Sequence, residues 1–430
     1  MSLERTHDGN NADTLTTPSR AREARTASPD HGRAMGAAGI LTALAAYFCA
    51  MGVTQSFVAL RASGLHVSGL VLGAQLALVS GGMGLLTDIG LAAFADRRGH
   101  RRVTIGGFVL MVIAAAGFVV ARSSTLLWVG CFLSGLGFSA VGNPLLALVS
   151  FESKAWGAAR LQGINGSVQR FGSLIGAGVV GLSLSLHHVA GMAAGVLAAA
   201  CLGAGSLRSR AKPAASAYDP SIALGTVLRR GYSMGIRMLR RPAILLATCA
   251  NIGLNLVFLE TNAFIPLLRR FGASPAIVSG SLAARDIAAI ALGLLIARVG
   301  FYAATTRTLV ASLLLSGVSA AAMSLCAEAR VMLPVVFLSG IQGANLAVGI
   351  AATNLYAMRA TGDAERATGM AASLVIPRAT LIVVPLVSGV ALGAWGIRTV
   401  LYILGAAFIV VAIAVVAVGI GMRSDQAGVA

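Results

Sequence analysis

Apolar and polar positions in this chain alternate on a long scale. Runs of Ala, Leu, Val, Ile and Gly, each near the roughly 20 residues a helix needs to cross about 30 Å of hydrocarbon, are separated by short polar links. Cutting at that punctuation predicts segments 1 to 6 as Met35 to Leu60, Ser68 to Ala95, Val103 to Ala121, Leu126 to Ser150, Gln162 to Ser185 and Val189 to Leu207. Segments 7 to 12 are Pro242 to Leu268, Ser274 to Ala297, Thr306 to Ala327, Val331 to Met358, Ala367 to Leu392 and Thr399 to Met422. Only helices and closed barrels satisfy every backbone N–H and C=O in lipid, so the expected fold is an all-α membrane protein with twelve transmembrane helices.

Composition removes the main alternative. A length of 430 residues allows two or three soluble domains, but 57% hydrophobic against 11% charged residues excludes them. The formal net charge of +18 raises the question of nucleic acid. Nearly all of the 33 Lys and Arg sit in short links between apolar runs, where they report membrane orientation instead. Six lie in links on the outer side (Arg61, Arg122, Arg269, Arg270, Arg330, Arg398) and three inside segments (Arg170, Arg285, Arg378). The remainder places both termini in the cytoplasm of a cell with this chain in its inner membrane. Cys49, Cys131, Cys201, Cys249 and Cys326 fall in apolar runs without metal-type spacing, so neither a disulfide framework nor a metal is expected.

The expected organisation is a polar tail at 1–34, a six-helix unit at 35–207, a basic cytoplasmic linker at 208–241, a second unit at 242–422 and a short tail at 423–430. The units repeat in sequence. Thr54, Gln55, Ser56, Phe57, Val58 and Leu60 match Thr261, Asn262, Ala263, Phe264, Ile265 and Leu267; Arg160, Gly163 and Ser167 match Arg366, Gly369 and Ser373. Leu133, Ser134 and Gly135 match Leu338, Ser339 and Gly340 in the same order. Ordered matches at near-constant offset imply a duplicated bundle, hence two pseudo-symmetric six-helix bundles.

Between segments 2 and 3 stands AAFADRRGHRR, with Ala92, Phe94, Asp96, Arg97, Gly99, Arg101 and Arg102. This resembles the signature loop of the major facilitator superfamily, and the resemblance extends over nearly the whole chain. The counterpart GLLIARVG keeps Gly293, Leu295, Arg298 and Gly300 but has Ala297 where the acid stands in the first copy. Gly99 permits a positive φ in a very short turn, and the arginines suit anionic headgroups. Asp96 closes segment 2 where another helix can present its positive N-terminus; pairing with Arg97 or Arg101 is the plainer alternative. The resemblance implies a conformational latch of Asp96, Arg97, Gly99, Arg101 and Arg102. Two positions depart from the family's drug:proton antiporters: Cys131 stands where many carry Arg, and GSLIGAGVVG from Gly172 has Ala177 in place of Pro.

An ionisable group at mid-membrane costs roughly 2.5–3.5 kcal/mol on insertion scales and therefore faces protein or water. Asp88, Arg170, Glu260, Arg285, Asp286 and Arg378 form that set. Gly81, Gly84, Asp88, Ala92 and Ala95 fall on one small-residue seam, which directs Asp88 at a neighbouring helix. The resemblance implies that segment 2 packs on segment 11 and segment 5 on segment 8. Counting from the cytoplasmic ends then puts Asp88 and Arg378 at about 12 and 16 Å depth, and Arg170 and Asp286 at about 13 and 17 Å. Two cross-seam pairs follow, as gates or as permanent bridges, with Arg285 neutralising Asp286 locally as a further alternative. Glu260 is a proton-coupling candidate, or a partner of Arg269 or Arg270. By resemblance segments 1, 4, 7 and 10 line the cavity, and Asn251, Asn255 and Asn262 share one face there. Gln342 and Asn345 extend that wall opposite Tyr47 and Gln55; interhelical hydrogen bonding is the alternative role for these amides.

No phosphate-binding loop is present, so no cofactor and no enzymatic activity are expected and an ion gradient is the energy source. The expected function is a monomeric secondary transporter exporting a drug, siderophore or other small metabolite against protons. A proton-coupled importer of a sugar or small organic acid is the other reading.

Overall fold

The computed structural model describes residues 31–185, 189–207, 224–299 and 306–427, with the backbone alone described at some helical positions. Among these residues every regular element is helical. The helices are α1 (His31–Gly64), α2 (69–98), α3 (His100–Val120), α4 (Ser124–Trp156), α5 (Ala158–Ser185), α6 (Val189–Ser206) and α7 (Leu224–Met238). They continue with α8 (Pro242–Arg270), α9 (Pro275–Val299), α10 (Thr306–Ala329) and α11 (Met332–Ala360). A last helical stretch, Arg366–Ala427, is broken at Gly396, whose φ of 76° divides it into α12 and α13. Helix α2 is itself composite: Gly69–Ala77, a π-helical turn Leu78–Gly82, and Met83–Arg98.

Seven helices among the described residues are long and apolar enough to cross a membrane: α1 to α4, α10, α11 and α13. Helix α5 falls outside that set, since Gln162, Asn165, Gln169 and Arg170 lower its apolarity. All four are nonetheless buried inside the protein. The outward side of α13 presents Ile403, Val410, Ile413 and Ile420 at helical spacing, a surface suited to lipid and not to water.

Two separate apolar cores organise the chain. One gathers Phe57, Phe108, Phe118, Leu127 and Leu145 from α1 to α6, and the other Leu246, Phe264, Leu313, Leu401 and Phe408 from α8 to α13. The halves meet through α2 against α12 and α5 against α9 and α11. Lipid offers no hydrophobic drive between helices, so these contacts depend on close approach of small residues. A Cβ on Gly163 would lie 2.6 Å from the Gly293 carbonyl oxygen and one on Gly293 2.8 Å from that of Gly163, so α5 and α9 touch backbone to backbone.

Gly163→Ala is expected to lower the melting temperature of the purified protein, because neither backbone can yield locally. Gly178→Ala, on the same helix with nothing within 4 Å of its added methyl, is expected to stabilise by up to about 1 kcal/mol. Thermal unfolding of both variants in one detergent checks the pair.

Candidate functional site

Helix α2 ends at the bundle end that carries Arg97, Arg98, Arg101 and Arg102, called here the basic end. Gly99, at φ 100°, turns the chain directly into α3. The first turn of α12 lies opposite, with backbone N–H groups that have no partner inside their own helix. Buried Asp96 supplies it: Oδ1 accepts from the Ala367 N–H at 3.0 Å, and Oδ2 accepts from the Thr368 N–H at 2.9 Å and its hydroxyl at 2.7 Å. The Asp96 carboxylate thus sits at the N-terminus of α12. His100 Nε2 stands 2.9 Å from Oδ1 and fixes the carboxylate from the other side. Arg97 is half-buried, Arg102 exposed, and Arg101 lies near Glu152 of α4. Arg366 donates to the Met358 carbonyl and to Asp363, both at 2.6 Å, and Arg241 donates to the Ala360 carbonyl at 2.7 Å.

One helical stretch deeper, Arg378 of α12 reaches into the other half. Its Nε donates to Asp88 Oδ2 at 3.0 Å and its Nη1 to the Ser80 carbonyl at 2.8 Å. The Tyr47 phenol of α1 also lies against the guanidinium. Ser80 belongs to the π-helical turn Leu78–Gly82 of α2. A Cβ on Gly84 would lie 2.6 Å from Arg378 Nε, and one on Gly81 2.8 Å from the Arg378 carbonyl oxygen. The small-residue seam read from the sequence is thus the slot that admits Arg378.

The second cross-seam pair is looser. Arg170 Nη1 of α5 stands 3.8 Å from Asp286 Oδ1 of α9, an ion pair beyond hydrogen-bond length, with buried Arg285 beside it. Arg170 continues a line of amides that sequence reading passed over. Gln169 Nε2 donates to Asn165 Oδ1 at 3.0 Å, Asn165 Nδ2 to Gln162 Oε1 at 2.7 Å, and Gln162 Nε2 to the Met358 sulfur of α11 at 3.2 Å. Their spacing of three and four residues was the available signal. Asn143 of α4, buried with neither amide atom bonded, was also passed over.

The expected polar wall divides. Gln55 donates to Ser80 Oγ at 3.2 Å, and Tyr47 is buried against Phe48, Phe138 and Gly142. Asn251 is buried with its Nδ2 unbonded. Asn255 instead donates to the Pro377 carbonyl at 2.7 Å and Thr380 Oγ1 at 2.9 Å, pinning the turn of α12 that presents Arg378. Gln342 and Asn345 turn to α10, donating to the Ser316 carbonyl at 2.7 Å and its hydroxyl at 3.0 Å. A buried amide takes the nearest partner, and periodicity does not say which neighbour offers one. The side chains of Glu260 and Asn262 lie outside the described residues.

No family model and no curated protein matches the chain. Among solved structures, the human organic anion transporter MFSD10 (TETRAN) superposes with a TM-score of 0.68 at 12% identity, over 90% of this chain and all of that one. The chain therefore shares the fold of that transporter.

Removing one partner of a buried charge pair costs about 3–5 kcal/mol, because the other is left unpaired in low dielectric. Asp88→Asn and Arg378→Gln are each expected to destabilise the protein by that order, and the double variant by less than either single one. Thermal unfolding of the four proteins measures the coupling.

Proposed function

We propose that this chain is a secondary active transporter of the inner membrane, crossing it twelve times as two six-helix units with both termini cytoplasmic. It exports a drug, siderophore or other small metabolite by proton antiport through alternating access. The basic end is the cytoplasmic end, in keeping with the Arg-rich links there. What carries the reading is the layered lock between the halves, with the Asp96 cap at the surface and the Asp88–Arg378 pair beneath it. Both bonds join α2 to α12, so both must break for that side to open.

Asp88 and Asp286 are the carboxylates through which a proton acts on this lock. Protonating either removes the charge that holds its arginine across the seam. Glu260 remains a further coupling candidate in α8. With the basic end closed, Arg170 and Arg378 are engaged by aspartates, Asp286 and Asp88 respectively. The substrate binds between the halves, among Tyr47, Gln55, Asn251 and the neighbouring faces of α8 and α11. The comparison protein is described as an organic anion transporter; at 12% identity its substrate class is not carried over.

Everted vesicles from cells producing the chain are expected to accumulate its substrate when energised, and to lose it on adding a protonophore. A panel of lipophilic cations, siderophores and small organic acids scans the substrate class; uptake in right-side-out cells instead would overturn export. In the same assay Asp96→Asn is expected to cut turnover roughly tenfold or more while equilibrium substrate binding changes less than about twofold.

A further inference from the structure

Helix α7, inside the stretch that joins the halves, has a second face that the transport reading leaves unused. Its inner face is fitted to the lock. A Cβ on Gly231 would collide with Ala93 and one on Gly235 would lie 2.9 Å from the Ile89 side chain, so α7 lies flush on α2. Tyr232 donates its hydroxyl to the Leu86 carbonyl and packs against the cluster formed by Ile89, Ala92, Ala147, Ala367 and Ala371. That cluster draws on α2, α4 and α12 together. Burial, with the Asp88 charge adding to it, pushes the Tyr232 phenol above its ordinary range, so it stays a neutral donor. Met238, at the other end of α7, is buried in the core of the second half.

The outer face is of the opposite character. Arg229, Arg230, Ser233, Ile236 and Arg237 fall within an arc of about 120° at 100° per residue, and Arg240 follows on the same side. All six are exposed, Ile236 at 57%. No acidic residue occurs between Leu224 and Arg241 to balance the arginines. Residues 86–93 of α2, on which α7 lies, are about 7 to 18 Å from Arg98 along that helix, so α7 lies on the half of α2 nearer the basic end. Leu86, beside Tyr232, is 64% exposed.

We propose that the outer face of α7 is a docking surface for anionic phospholipid, with Arg229, Arg230, Arg237 and Arg240 binding the phosphates and Ile236 resting on the acyl chains. Arginine matches phosphate geometry with paired N–H donors, and each basic residue near an anionic surface adds to the attraction. Because the inner face of α7 spans α2 and α12, bound lipid holds the basic end closed. This last step rests on the lock reading proposed above; the lipid site itself does not.

The test uses the full chain purified in mild detergent with phosphatidylglycerol or phosphatidylcholine added, and reads bound lipid by native mass spectrometry. Wild type is expected to retain phosphatidylglycerol preferentially. The fourfold variant Arg229→Gln, Arg230→Gln, Arg237→Gln, Arg240→Gln is expected to retain on the order of tenfold less, and the corresponding fourfold Lys variant to recover most of it. Equal retention by wild type and the Gln variant would overturn the site, leaving an acidic protein segment as the occupant to seek. Hydrogen exchange at Ala367 and Thr368 reads closure. Phosphatidylglycerol is expected to slow it at least about threefold in wild type and not in the Gln variant; lipid retained without that slowing overturns the coupling to closure. Asp96→Asn separates the two readings, since it speeds this exchange in either lipid if the lock exists and leaves it unchanged if the lock reading fails.

Discussion

A guanidinium cannot be left alone in hydrocarbon, and the placement of Arg378 depends on that constraint. Its burial requires an acid at the same depth and room for a long side chain between two packed helices. Asp88 provides the first, and Gly81 and Gly84 the second. The Ser80 carbonyl, in the π-helical turn, is a further acceptor for the guanidinium. From the other half, Asn255 secures the Pro377 turn from which the arginine extends. Features that look unrelated along the chain, a glycine pair, a wide turn, a proline and an amide, converge on one cation.

The two seams between the halves use this principle unequally. At the α2–α12 seam an acid caps a helix and a hydrogen-bonded pair lies beneath it, so the contact is made of polar bonds that can be exchanged for water. At the α5–α9 seam the acid's counterpart is Ala297, and a Cβ on Gly163 would sit 2.7 Å from the Ala297 nitrogen. Loss of the carboxylate lets backbones meet. Ser167 then bonds across to the Ile290 carbonyl at 2.9 Å, and the ion pair deeper in this seam is longer, at 3.8 Å. One seam is held by charge and the other by contact, which is consistent with a lock on one side and a bearing on the other.

Helix α7 lies on α2 and also packs on α12, so it joins both helices of this seam to whatever its outer arginines touch. Charge in a linker of this kind orients the chain during insertion, and the same charge remains available to the leaflet afterwards.

Along the chain, apolar run length and polar punctuation determined the helical class and most helix positions, because lipid forbids any other way to satisfy the backbone. Spacing on α2 indicated from helix geometry alone that Asp88 faces a close neighbour, whereas its match with Arg378 also needed the packing of segment 2 on segment 11 that the family resemblance implied. Tertiary structure decided the rest. The rotation of α11 that sends Gln342 and Asn345 to Ser316, the partner of Asn255, the amide line on α5 and the seat of α7 all depend on which neighbour stands opposite. A sequence states which side of a helix is polar, whereas the neighbour that meets it is set by the packing of all the helices at once.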